Sequence, residues 1–115
     1  MTIEVTLTAN KEVEISPATK IKKRNGKDDH TITWVQGSPT QPFSFVSCKP
    51  APGGPISSIK VTDKKITAKD KITKGSGTVD YPYTITVKDA DGNLHSSGGD
   101  SPEAEGGKGV IRNTR

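Results

Sequence analysis

The sequence predicts an all-β chain, an antiparallel β-sandwich of about seven to nine short strands, on three observations. Apolar and polar residues alternate with a period of two, the pattern of a strand with one buried face. Turn residues interrupt that alternation at roughly the 8–12-residue spacing of small sandwiches. No stretch of about a dozen residues carries apolar side chains at helical spacing, and threonine, valine and isoleucine crowd the regular segments.

The first strand is written in TIEVTLT, where Ile3, Val5 and Leu7 share one face and Thr2, Glu4, Thr6 and Thr8 the other. The chain turns at Asn10 and Lys11, and Val13 and Ile15 resume the pattern. Asn25-Gly26 supplies the two positive-φ residues of a tight hairpin turn, so the runs on either side of it are expected to pair. Beyond it Ile32 and Trp34 point one way and Thr31, Thr33 and Val35 the other; Phe43 and Phe45 alternate likewise.

Pro50, Pro52, Gly53, Gly54 and Pro55 then make a loop, because proline lacks the amide donor and glycine weakens a strand. Ile59 and Val61 restart the alternation, a turn follows at Asp63 and Lys64, and Ile66, Ala68 and Ile72 continue it. After Gly75, Ser76 and Gly77 comes the clearest strand, YPYTITVKD, with Tyr81, Tyr83, Ile85 and Val87 on one face. Pro82 places its segment at a sheet edge or a strand start, where no ladder bond is lost. Asp91-Gly92 is another turn, and Val110-Ile111 is a candidate terminal strand. The serine-, glycine- and acid-rich residues 96–109 are expected to form a mobile loop.

A chain of 115 residues is expected to be one domain, 1–115, with one core. Its single cysteine cannot close an internal disulfide, so packing must hold the fold. Only 29% of residues are hydrophobic, a fraction that fits a folded chain only because it is patterned. No apolar run is long enough to span a membrane. The start, MTIEVTLTAN, lacks the basic and apolar regions of a signal peptide, so a cytoplasmic location is the default expectation.

The segment ISPATKIKKRNGKDDHTITWVQ resembles the front half of a cupredoxin, in which a strand leads through a glycine turn into a T-x-T-W-V strand. The end, YPYTITVKDADGN with GVIRN after it, is similar to the DP-EP family, small bacterial domains of unknown function. The resemblance implies a cupredoxin-like or immunoglobulin-like sandwich and no known activity.

A blue-copper site takes two histidines, a thiolate and usually an axial methionine. His30, Cys48 and His95 are the candidate metal ligands by residue type, but in cupredoxins the cysteine, second histidine and methionine share one loop near the C-terminus. Here Cys48 and His95 lie far apart in the chain and the one methionine is Met1. No metal or cofactor is therefore assigned. Trp34, Phe43 and Phe45 read as core instead. By strict alternation Cys48 falls on the face opposite Phe45, unless the chain bends between them. His30, after Asp28 and Asp29, reads as a solvated strand start. No catalytic set is assigned: His95 and Ser96 are neighbours on a strand and point to opposite faces.

Charge is unevenly placed. Lys20, Lys22, Lys23, Arg24 and Lys27 surround the Asn25-Gly26 turn and form a candidate polyanion-binding tip, and Lys60, Lys64, Lys65, Lys69, Lys71 and Lys74 follow in mid-chain. Residues 89–105 carry Asp89, Asp91, Asp100, Glu103 and Glu105 with no lysine or arginine. The net charge of +4 is modest, and no aromatic residue stands among the cations to stack on a base, which disfavours nucleic acid. The expected function is a non-enzymatic protein-binding or assembly module with an unidentified protein partner. The alternatives are a cupredoxin-like copper protein lacking the usual ligand loop, and polyanion binding through the basic hairpin.

Overall fold

A computed structural model of the chain describes residues 2–16, 19–23, 29–38, 40–50, 54–72, 77–97 and 109–114, with the backbone alone at 19–23, 29 and 114. The described residues are all-β and contain no helix. Ten strands form in chain order: β1 (Thr2–Leu7), β2 (Val13–Ser16), β3 (Thr19–Lys23), β4 (Asp29–Gln36), β5 (Phe43–Pro50), β6 (Ile56–Val61), β7 (Lys65–Lys71), β8 (Thr78–Asp89), β9 (Leu94–Ser96) and β10 (Gly109–Thr114). The first sheet runs β2-β1-β4-β7-β6 and the second β3-β10-β8-β5, with the short β9 also paired to β8.

Most pairings are antiparallel, as expected, but β1 lies parallel to β4 and β3 parallel to β10. The reason is a change of sheet. Strand β2 ends at the edge of the first sheet and β3 begins at the edge of the second, so β4 re-enters the first sheet alongside β1. This also corrects the hairpin expectation. Asn25 and Gly26 lie outside the described residues, but the strands before and after them, β3 and β4, belong to different sheets and do not pair. A two-residue turn signal specifies local backbone geometry; the burial of Ile32 and Trp34 against the first sheet decides where β4 goes.

One buried cluster draws on both sheets. Ile3, Val5, Leu7, Ile32, Trp34, Ile66 and Ala68 face inward from the first, and Phe43, Phe45, Tyr83, Ile85, Val87 and Ile111 from the second. Trp34, wholly buried, meets Tyr83 of the opposite sheet edge-to-face at 5.2 Å between ring centroids. Phe43 and Phe45 pack perpendicular at 5.1 Å. These are the favourable aromatic geometries.

Two strands bend out of strict alternation. In β5 the register against β8 slips between Phe45 and Ser47, so Val46 is an extra residue, half out in solvent. The bulge returns Cys48 to the inner face, where it is buried near Phe45 rather than opposite to it. In β6 the register slips between Ser57 and Lys60, with Ser58 at φ 53°. Lys11 turns the β1–β2 hairpin at φ 64° and Gly92 the β8–β9 hairpin at φ 88°, as the turn residues predict.

Strand β8 is central, flanked by β5 on one side and by β10 and β9 in succession on the other. Pro82 pairs with Val110, and the β5 ladder begins one residue later at Tyr83, so β8 has a single neighbour where the proline stands. The expected loop at 96–109 is shorter at both ends. Ser96 is in β9, Ser97 is buried with its amide donating to Ile85 O at 2.8 Å, and Gly109 opens β10; residues 98–108 lie outside the described residues.

Gly109 pairs with Tyr83, and a Cβ at this position would run into the Tyr83 ring. That ring is held in turn by Trp34, so it has nowhere to retreat. Gly109→Ala is expected to destabilise the fold by about 1–3 kcal/mol, the range for overpacking, measured by urea denaturation. An unchanged midpoint would mean that Tyr83 is free to move.

Candidate functional site

The three residues of candidate metal-ligand type occupy three different strands. His30 is half-buried on β4, across from Asp70 on β7 of the first sheet. Cys48 is on β5, paired with Ile85, and His95 is on β9, paired with Val87. Strand β8 runs between the last two, so about 10 Å of sheet, two strand spacings, separates their backbones. Ligands of one ion must all come within roughly 2.3 Å of it. Among the described residues no group of three His, Cys, Asp or Glu side chains is close enough to hold a metal ion.

Burial pushes the Cys48 thiol up to about 12, so at neutral pH it is a thiol and not the thiolate that attacks or ligates. The Tyr83 hydroxyl is likewise buried, and desolvation raises it above the ordinary phenol range. Both groups therefore stay protonated at neutral pH.

His95 is held by Asp89. Its Nε2 lies 2.8 Å from Asp89 Oδ2, and because an ionised carboxylate only accepts, the ring must carry its proton on Nε2. The other oxygen, Oδ1, accepts the backbone N–H of Asp91 and of Asn93, each at 2.9 Å. One buried carboxylate therefore closes the β8–β9 turn and pins the histidine that follows it. The His95 hydrogen bond first, then the Asn93 and Asp91 amides, hold the Asp89 carboxyl down to about 2, against the opposing effect of burial.

A second buried polar contact joins the sheets. Asn113 Nδ2 on β10 donates to Asp70 Oδ1 on β7 at 2.8 Å, with both residues almost wholly buried. Ser97 completes the set: its hydroxyl accepts the Ile85 N–H at 2.9 Å. Sequence reasoning missed Asp70, Asp89, Ser97 and Asn113. The signal was present for two of them, since Asp70 lies two residues past Ala68 and Asp89 two past Val87, each on the inward parity of its strand.

Cys48, Asp70, Tyr83 and Asp89 are buried, and His30 and His95 are half-buried. The outward side of the first sheet carries Glu4 and Glu14 on β1 and β2, Thr31, Thr33 and Val35 on the central β4, and Lys65, Lys69, Lys71 and Lys60 on β7 and β6. Glutamate thus lies on one flank and lysine on the other, with Thr31, Thr33 and Val35 between them and Asp29, at the start of β4, in register with Lys71. On the second sheet Arg112 grips Asp80 with two hydrogen bonds, 2.7 Å from Nε and 3.0 Å from Nη2, and about 20 Å further along β8 Ser47, Thr86 and Ser96 form a row across the strands. Of the candidate polyanion tip, Lys20, Lys22 and Lys23 are on β3, next to β10; Arg24 and Lys27 lie outside the described residues.

No protein-family model, curated protein or solved structure matches the chain. Among the described residues no helix is long and apolar enough to cross a membrane.

The Asp89 arrangement has a pH signature. A carboxyl held below its unfolded value, about 3.9, contributes stability that is present above pH 4 and is lost as pH falls toward 2. Asp89→Asn removes that dependence while keeping an acceptor for the two amides. The melting temperature of the parent protein is expected to fall more steeply than that of Asp89→Asn between about pH 4 and pH 2. Parallel curves would mean that Asp89 titrates as it does in the unfolded chain.

Proposed function

We propose that this protein is a non-enzymatic protein-binding or assembly module that works through the outward face of its first sheet. The observation that carries this reading is the division of that face into a glutamate flank, a strip of Thr31, Thr33 and Val35 on β4 that begins at Asp29, and a lysine flank. Opposite charges around an uncharged centre give a partner both an orientation and a contact area. The buried state of Cys48, Asp70, Asp89 and Tyr83 supports the non-enzymatic half of the reading, because a catalytic group must reach its substrate.

A second reading, polyanion binding, is supported by Lys65, Lys69 and Lys71 recurring on one face of β7, with Lys60 beside them on β6. Such binding is steeply salt-dependent. Both readings are tested together by comparing the parent protein with Lys65→Glu in capture from the source cell and on a heparin column. The module reading expects a stoichiometric protein partner that Lys65→Glu loses, with heparin retention weak in both. Strong heparin retention that collapses with salt and with Lys65→Glu would favour the polyanion instead.

A further inference from the structure

The outward face of the first sheet is complementary to itself, and we infer that its partner is a second copy of this chain, docked face to face about a two-fold axis parallel to β4. This rests on the assembly reading above and names the partner.

The register fixes the geometry. Three rows of outward residues cross the sheet. Glu4, Val35 and Lys65 make one, on β1, β4 and β7; Thr2, Thr33 and Thr67 make the next, extended by Lys60 on β6. Thr31, Lys69 and Ser57 make the third, on β4, β7 and β6. Strand β4 is the middle strand of five, so β1 and β7 are equidistant from it. A two-fold axis lying along β4, between the two faces, exchanges the β1 side with the β7 side and leaves position along the strands unchanged. Glu4 of one copy then stands over Lys65 of the second copy, and Thr2 over Thr67. Val35, Thr33 and Thr31 meet their own counterparts on the axis, and so does Asp29 at the start of the strand, in register with Lys71 on β7. A two-fold axis across the strands would instead set acid on acid and lysine on lysine. Charge therefore selects one of the two symmetric arrangements.

The central strip suits contact. Thr33, Thr67 and Val35 are β-branched, half-buried and carry no charge, so the faces approach at the roughly 10 Å of packed sheets without desolvating an ion at the centre. The charged side chains stand at the flanks, where depletion of charge from an interface core puts them. Among the residues whose side chains are described, Glu4, Glu14, Lys60, Lys65, Lys69 and Lys71 make no ion pair with one another or with a further residue. Because the same patch serves both copies, the contact closes at two and does not propagate.

The test is sedimentation equilibrium of the full chain at low and at high salt, with Glu4→Lys, Lys65→Glu and the double charge swap. All four positions of the two copies are exposed, and circular dichroism checks that each variant folds. The expected result is a dimer that weakens as salt screens the flanking pairs, weakens about tenfold or more in each single variant, and recovers in the double swap. A dimer indifferent to both single reversals overturns the proposed geometry. A chain that stays monomeric but holds another protein through Lys65 overturns self-association and leaves the module reading standing. A monomer that captures nothing overturns both.

Discussion

The constraint on which the structure depends is the two-residue period of a strand, applied to a chain with few hydrophobic residues. Each inward position has to count. Ile3, Val5, Leu7, Ile32, Trp34, Ile66, Ile85, Val87 and Ile111 are all at or near zero exposure, and they come from five strands of two sheets. A slip of one residue in β4 would send Ile32 and Trp34 to solvent and threonines to the core, so the hydrophobic pattern fixes the register more firmly than any turn does. The contact of Trp34 with Tyr83 over Gly109 links the two sheets at the largest side chain, and the absence of a Cβ at Gly109 leaves room for it.

The same constraint explains what could be read from the sequence. Alternation located the inward residues of β1, β4, β7 and β8, and turn residues located the reversals at Lys11 and Gly92. It did not locate Cys48, because one extra residue at Val46 shifts the parity and a bulge leaves no mark in the apolar pattern. It did not give the partners of β3 and β4, since pairing between strands far apart in sequence depends on which faces bury together. Asp70 and Asp89 were hidden for a different reason: aspartate on an inward position reads as the end of a strand until its hydrogen-bond partners are known. Those partners, Asn113 and His95, come from distant or turn-separated residues.

Inside this sandwich Asp70 accepts from Asn113 and Asp89 from His95, and the Cys48 thiol and the Tyr83 phenol are desolvated. The outward faces are rich in threonine, and on the first sheet glutamates stand on the β1–β2 side and lysines on the β7–β6 side. The metal-ligand reading of His30, Cys48 and His95 relied on residue type alone; their strands, on two sheets and on both sides of β8, keep them from converging.

The central structural claim is that both sheets share one core and stand or fall together. Native-state hydrogen exchange under increasing denaturant tests it most directly. Amides of β4 and β8, the middle strands of opposite sheets, are predicted to exchange through one common opening, with the same free energy and the same denaturant dependence. Two separate classes, one for each sheet, would contradict the account: the Trp34–Tyr83 contact and the Asp70–Asn113 hydrogen bond would then not couple the layers.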